Sequence, residues 1–345
     1  MGHLPSSFAF SQTEYSGGSS FTTVAAGSPH SSGGIGVVGA GAVSIFNYYS
    51  PSYAEEQEVL EGDSGDADEF GYSVSMNANG TILVVGAPSL SLPGVTHAGM
   101  VHVYTRYSGY FSRIQSFTSS YSSASDVGLG ACVKVNGRGD ILAVSTRTKG
   151  SGGGQDGVVE IYYRDTFADC PFRYLDKLAS GQRAEYTPAQ DDRFGASLAF
   201  DYDGRVIAVG TPGSSSNTGA VLVFMYKDKS FAPVQLIEPA NVTVGAQFGS
   251  AIAFNSEGTV MAVGAPDATI SSASEGVVMV YVWDRSAVQY YFQQMVVPND
   301  PTRVGGRFGS SLSLTSSGSM LVVGSPEHED YMYGEKAGAV FVFSL

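Results

Sequence analysis

One short stretch recurs along the chain, and its spacing limits the possible folds more than any other feature. Its clearest copy opens with Phe248-Gly249, has Gly258 ten residues after the Phe and Gly264-Ala265-Pro266 sixteen after it, and closes with an apolar strand led by Gly276. Copies opening at Phe70, Phe194 and Phe308 keep these offsets. Leu129-Gly130 and Phe8-Ala9 open two weaker copies, and in the second Gly27-Ser28-Pro29 falls three residues late. Such a repeat indicates an array or a propeller.

Each copy divides into four short strands, which predicts an all-β propeller with six four-stranded blades. A turn ending in glycine joins the first strand to an unbroken apolar run, which is typical of a strand covered on both faces. Gly-x-Pro ends that run, because proline has no N–H for the ladder. We expect the opening Phe to plug between blades and the next Gly to allow close backbone approach. The predicted blades are 8–60, 70–118, 129–179, 194–238, 248–297 and 308–345, in one domain spanning 1–345; seven blades is the alternative.

The Phe-Gly pairs, the turn glycines, the run Val84-Val85-Gly86-Ala87-Pro88 and the run from Gly338 to Phe343 resemble FG-GAP repeats. The resemblance covers residues 8 to 345. It implies a propeller like that of integrin α-subunits and of microbial surface proteins, in an extracellular or cell-surface setting. It does not imply one activity, because a fold of this kind carries many functions.

The calcium loops of many FG-GAP blades have no counterpart here. The corresponding turns have about four residues, and calcium needs six to eight oxygen ligands. Asp201 and Asp203 make the nearest approach to such a loop and are the only weak metal candidates. We therefore expect no integrin-type calcium site and no cofactor.

Composition narrows the classes of partner. The net charge is −14 with no basic stripe, so nucleic acid is not an expected partner. No apolar run approaches a membrane span, so membrane insertion is not expected either. Residues 1 to 7 do not form a signal peptide, although the resemblance favours an extracellular setting. Cys132 and Cys170 fall in one repeat, and the sequence leaves open whether they pair.

Acidic and aromatic residues gather on loops that the topology brings to one rim. These loops join one blade to the next or follow Gly-x-Pro. Two readings remain open: a surface that binds a cation, a glycan or a basic partner, or solvated loops that keep a charge-poor protein soluble. The candidate ligand-binding residues are Asp63, Asp66, Asp68, Asp191, Asp192, Asp300, Glu327, Glu329, Asp330, Tyr331 and Tyr333.

The remaining motifs are weaker indications of function. No metalloprotease, nucleophile-elbow or phosphate-loop pattern is present, and His102 is most simply a strand residue. Asn79 and Asn241 match the N-glycosylation pattern. Arg138-Gly139-Asp140 spells the cell-adhesion tripeptide, but Gly139 is also the turn glycine of its repeat, which favours coincidence.

The last blade lacks residues for a fourth strand, because the sequence ends on its third. Either residues 2–7 supply a poor closing strand, or Val340, Phe341, Val342 and Phe343 form an apolar edge that invites strand addition by a protein partner or neighbouring subunit. The sequence thus predicts a non-enzymatic propeller for adhesion, recognition or assembly. The alternative is a glycan- or small-ligand-binding propeller with lectin or hydrolase activity on the acidic rim.

Overall fold

The structure is a computed structural model, and it describes residues 7–14, 20–31, 39–49, 52–60, 68–119, 127–147, 157–165, 170–183, 186–189, 191–240, 242–269, 275–298, 306–329 and 336–345. In this part of the chain nearly all regular structure is strand. The two exceptions are a 3₁₀ turn, Ser180–Gln182, and one helical turn, Ser214–Asn217. The expected near-absence of helix is confirmed.

The strands form six sheets, which are the six blades of a β-propeller. Each sheet is an antiparallel meander in which consecutive strands pair. Blades 1 to 5 have four strands and blade 6 has three in the described residues. The strands are β1 Ser7–Glu14, β2 Ser20–Ser28, β3 Ala42–Tyr49, β4 Ser52–Leu60; β5 Ser73–Met76, β6 Ile82–Ala87, β7 Met100–Tyr107, β8 Tyr110–Phe117; β9 Val133–Val135, β10 Ile141–Ser145, β11 Val159–Tyr163, β12 Arg173–Leu178; β13 Ser197–Phe200, β14 Val206–Thr211, β15 Ala220–Lys227, β16 Ser230–Ile237; β17 Ala251–Phe254, β18 Val260–Ala265, β19 Val277–Asp284, β20 Gln289–Val296; and β21 Ser311–Leu314, β22 Met320–Ser325, β23 Ala339–Ser344.

The chain divides into two compact units. The first contains residues 1–153 and 158–177, and the second contains residues 154–157 and 178–345. Blades 1 to 3 make up most of the first unit, and blades 4 to 6 make up most of the second.

In blades 2 to 5, a polar side chain at the start of the first turn holds the hairpin together. The side-chain oxygens of Asn77, Asn136 and Asn255 each accept the backbone N–H five residues later, at 2.9, 3.0 and 2.9 Å. Asp201 does the same with Val206 at 3.0 Å. Asn and Asp favour such turns because their short side chains reach nearby backbone groups.

In blades 2 and 5 the opening Phe of the repeat, called the opener below, is buried and hydrogen-bonds to the blade before it, as the sequence suggested. Phe70 is fully buried, and its N–H donates to the carbonyl oxygen of Ala40 at 3.0 Å. A Cβ atom on Gly41 would lie only 2.0 Å from the carbonyl oxygen of Phe70. In the second unit, a Cβ atom on Gly219 would lie 2.1 Å from that of Phe248. Only glycine fits where the third strand meets the next opener.

The first repeat is registered differently from the sequence-based expectation. Ser7 pairs with Gly27, just as Ser73 pairs with Gly86 in blade 2, so Phe8 corresponds to Val74 and not to the opener Phe70. Accordingly, 53% of Phe8 is exposed. The hairpin strands β1 and β2 have eight and nine residues, against four and six in blade 2, which accounts for the late Gly-Ser-Pro.

Candidate functional site

In blades 4 and 5 the loops expected at one rim do meet at one end of the blade. In the second unit the loop after Gly-x-Pro hydrogen-bonds to the loop before the opener. The N–H of Gly213 donates to the carbonyl oxygen of Asp192 at 3.0 Å, and the N–H of Asp267 donates to that of Ala246 at 3.2 Å. The predicted grouping of these loops therefore holds at the level of the backbone.

The predicted rim residues do not converge on one site in the described part of the chain. Asp68 and Asp192 are buried, whereas Asp191 and Glu329 are exposed and Glu327 is half-buried. No group of three or more potential metal-binding side chains occurs among the described residues. The other predicted rim residues lie outside the described residues: Asp63, Asp66, Asp300, Asp330, Tyr331 and Tyr333.

Asp192 serves the structure of its loop. Its carboxylate accepts the Tyr186 hydroxyl at 2.6 Å and the Ala189 N–H at 2.7 Å. Burial and this hydrogen bond raise the pKa of Tyr186 to about 12. Asp192 is therefore committed to internal partners and is not aimed at solvent.

The residue directly before the opener was not among the predicted site residues. This residue has positive φ in four repeats, with values of 58° at Glu69, 56° at Arg193, 57° at Gln247 and 54° at Arg307. The left-handed conformation turns a polar side chain onto the rim. Its fixed place next to the opener is the signal that marks it in the sequence.

These side chains build a polar chain across blades 4 to 6. Arg193 donates to Gln247 at 3.1 Å, and Gln247 donates to Asp267. Arg307 donates to the other oxygen of Asp267 at 3.0 Å. The chain continues through the ion pairs Arg307–Glu327, 3.9 Å, and Lys336–Glu327, 3.0 Å. The carboxylates are neutralised by neighbouring cations, which disfavours a metal ion here and a role for them as paired catalytic acids.

The remaining candidates have structural surroundings. Asp201 supports its turn, burial raises its pKa, and Asp203 pairs with Arg205 at 3.0 Å. Asn79 is exposed in a turn, whereas Asn241 lies outside the described residues. No disulfide joins Cys132 and Cys170.

The adhesion-like tripeptide and the strand histidine also have defined places. Gly139 has a φ of 82° within its turn, and Asp140 accepts the side chain of Asn136 at 2.8 Å. His102 lies buried in β7, and its Nδ1 is 2.9 Å from the Ser116 hydroxyl. No described helix is long and apolar enough to cross a membrane.

Blade 6 exposes the face that other blades bury. Val340 and Val342 occupy the register positions of Val278 and Val280 in blade 5. Both blade 5 valines are fully buried and belong to a cluster with residues of blade 6, whereas Val340 and Val342 are 72% and 64% exposed. Met320, on the same face, is 46% exposed. An apolar sheet face of this kind is typical of an interaction surface.

The edge of blade 6 is also open in the described residues. β23 pairs only with β22 there, whereas the third strand of every other blade also pairs with a fourth. Of the predicted edge residues, Phe341 and Phe343 turn inward onto Phe308, with ring centroids 5.4 and 5.8 Å away. Val340 and Val342, which alternate with these two residues, face solvent.

Among the described residues, no opener lies against Gly338, the glycine that leads β23. A Cβ atom on Gly338 would lie no closer than 3.2 Å to its nearest neighbour, the carbonyl oxygen of Pro326. At Gly276, the same position in blade 5, it would lie 2.2 Å from the carbonyl oxygen of Phe308. Within the described part of the chain, blade 6 thus ends in an exposed apolar face, a strand edge without a partner, and a glycine without a neighbouring opener.

Comparison with known proteins agrees with this architecture. The FG-GAP repeat model matches residues 53–104. Comparison with curated protein sequences gives no match.

Similar solved structures span almost the whole chain. A candidate 6-phosphogluconolactonase from Bacteroides uniformis is 14% identical with a TM-score of 0.56, and the match covers 99% of this chain and 86% of that one. The periplasmic gluconolactonase of Pseudomonas aeruginosa is 18% identical with a TM-score of 0.52, covering 99% and 85%. Hydrazine synthase of Kuenenia stuttgartiensis is 14% identical with a TM-score of 0.57, covering 99% and 83%. At these identities the likeness concerns the fold alone.

These neighbours correct one expectation. The prediction that the chain is not an enzyme is wrong, because it rested on the fold and on the absence of familiar motifs, while propellers named as gluconolactonases share that fold. The repeat match over residues 53–104 and the six repeated blades together support an FG-GAP β-propeller.

Proposed function

We propose that this propeller is a protein-recognition and assembly module that binds its partner through blade 6. The observation that carries the proposal is the exposure of Val340 and Val342, at 72% and 64%, beside a strand edge that has no partner in the described residues. An edge strand offers unpaired N–H and C=O groups, and an incoming strand satisfies them. The adjoining apolar face adds buried area to such a contact.

Adhesion and an extracellular or cell-surface setting belong to the same proposal. Their support is the FG-GAP match, together with a charge of −14 and only 14% charged residues. The rim is less suited to the main contact, because Asp267 and Glu327 are paired with cations there and Asp192 is buried in its loop.

Strand addition is tested with a labelled peptide of residues 109–118, which form an outer strand in blade 2. We expect fluorescence anisotropy to show saturable binding, and hydrogen exchange at residues 339–344 to slow when the peptide is present. The control peptide carries proline in place of Arg113 and cannot pair along its length.

Equal binding of the two peptides would contradict strand addition. Strong protection of residues 339–344 in the dilute protein alone would also contradict the proposal, because the edge would then be covered already.

A further inference from the structure

A glutamine on the outer strand of one blade grips the outer strand of the next. In the first unit, the Gln115 amide N–H donates to the carbonyl oxygen of Phe172 at 2.9 Å, and its oxygen accepts the Phe172 N–H at 2.7 Å. In the second unit, Gln235 makes the same two bonds with Tyr290, at 2.9 and 2.7 Å. The side-chain amide thereby acts as one peptide unit of a neighbouring strand.

This pair of hydrogen bonds from a glutamine side chain, called the glutamine clamp below, occurs at the same register position in both blades. Gln115 lies opposite Val103, and Gln235 lies opposite Val223, each next to a β-bulge. Each gripped residue is the aromatic one near the start of the next outer strand, and Phe172 and Tyr290 are each only 3% exposed. The glutamine clamp therefore binds the backbone of the one residue whose aromatic side chain is buried, and so fixes the position of both.

Gln294 occupies the same position in blade 5, and no outer strand lies next to it among the described residues. It lies opposite Val280, again beside the bulge, and is half-buried like the other two. It makes no hydrogen bond to the residues that the structure describes. The strand that it would hold is the fourth strand of blade 6, which the described residues do not contain. The Gln294 amide atoms are not among the buried polar atoms that lack a partner, so water can reach them. A ligand peptide group would replace that water with two protein hydrogen bonds.

Blade 6 also offers a place for the aromatic side chain. In blades 4 and 5 the outer-strand aromatic packs on the last residue of the first strand, with ring centroids 6.3 Å apart for Phe231 and Phe200 and 5.8 Å apart for Tyr290 and Phe254. Leu314 holds that position in blade 6 and is half-buried. Tyr290 pairs with Trp283, whose counterpart on β23 is Leu345.

We propose that Gln294 and the edge of β23 together select a β-strand of another polypeptide that carries an aromatic residue near its start. The strand runs antiparallel to β23, its aromatic side chain packs on Leu314 opposite Leu345, and Gln294 holds the peptide groups of that aromatic residue. This inference rests on the proposed function, since it names the strand that the open edge receives.

The test compares Gln294→Leu with Gln293→Leu, a neighbouring exposed glutamine that makes no clamp. The probe is the labelled peptide of residues 109–118, in which Phe111 is the aromatic residue, and the second probe is the same peptide with Phe111→Ser. We expect Gln294→Leu to weaken binding about fivefold to tenfold, because two hydrogen bonds are lost. Gln293→Leu should stay within twofold of the unaltered protein, and the Phe111→Ser peptide should bind the unaltered protein at least about tenfold more weakly.

Unchanged melting temperatures in both variants establish that the fold is intact. Equal affinity of the two variants for the first peptide overturns the role of Gln294 and leaves strand addition standing. Equal affinity of the unaltered protein for both peptides overturns aromatic selection. No binding of either peptide to the unaltered protein overturns the inference together with the proposed function.

Discussion

At the scale of single residues, the glycine that leads each third strand serves two purposes. It adopts a left-handed conformation, with φ of 81° at Gly276 and 75° at Gly338, and it leaves room for the backbone of the next opener. At Gly276 both demands apply. At Gly338 only the conformational demand applies, because no opener lies against it in the described residues. Substitutions at these two glycines therefore separate the free-energy cost of backbone strain from that of steric overlap with the next opener.

Gly276→Ala and Gly338→Ala should therefore differ sharply. Alanine at Gly338 pays the left-handed penalty of about 1–2 kcal/mol. Alanine at Gly276 has the same backbone cost and also forces blade 5 away from Phe308. We therefore expect the free energy of unfolding to fall by more than about 4 kcal/mol, or the variant to fail to fold. Urea denaturation measures both. Similar losses would show that the joint at Gly338 is filled in solution.

At the scale of elements, the same valine position is buried in one blade and exposed in another. Val280 contributes to the apolar cluster between blades 5 and 6, whereas Val342 is 64% exposed. Side-chain identity alone therefore does not set the contribution to stability.

Val280→Ala should lower the free energy of unfolding by about 1.5–3 kcal/mol, because it removes methyl groups from a packed interior. Val342→Ala should change it by less than about 0.5 kcal/mol, as is usual at exposed sites. Chemical denaturation of both variants, with equal slopes against urea, checks the comparison. A large loss in Val342→Ala would mean that this face is covered.

The repeating elements could be predicted because their signals are local. Gly-x-Pro marks the end of a strand, the Asn-led turn marks a hairpin, and the continuous apolar run marks a buried strand. None of these signals depends on distant residues. The register of blade 1 could not be predicted, because pairing of Ser7 with Gly27 depends on a longer hairpin than the repeat implies. The glutamine clamp also escaped notice, since Gln235 and Tyr290 are 55 residues apart and meet only when neighbouring outer strands lie side by side.

The candidate site was predicted only in part, because its strand and its charges are local features of the sequence whereas its contacts join distant residues. The apolar strand of residues 340–343 was visible in the sequence, but which of its side chains face outward depends on how blade 6 packs on blade 5. Rim acidity was visible too, yet the pairing of Asp267 with Arg307 is a contact between repeats that sequence order does not reveal.

At the scale of the whole molecule, buried phenols link stability to pH. The chain has 20 tyrosines. Burial raises the pKa of Tyr281 and of Tyr290. Burial and the neighbouring Glu160 raise the pKa of Tyr162, and burial with the Asp192 hydrogen bond raises that of Tyr186 to about 12. Since both units contain such a tyrosine, alkaline pH should lower the stability of each unit.

The sign of this dependence follows from proton binding. Above the ordinary phenol pKa of 10.0, the unfolded chain releases protons that the folded chain still holds at these four tyrosines. Stability is therefore fully present below pH 10 and falls above it, by up to about 5 kcal/mol per pH unit when all four groups contribute. Absorbance at 295 nm should show most tyrosines ionising smoothly, and at least four should ionise only in a late, cooperative step. That step should coincide with loss of the β signal in circular dichroism. Smooth ionisation of all 20 tyrosines while the β signal persists would contradict the burial of these four phenols.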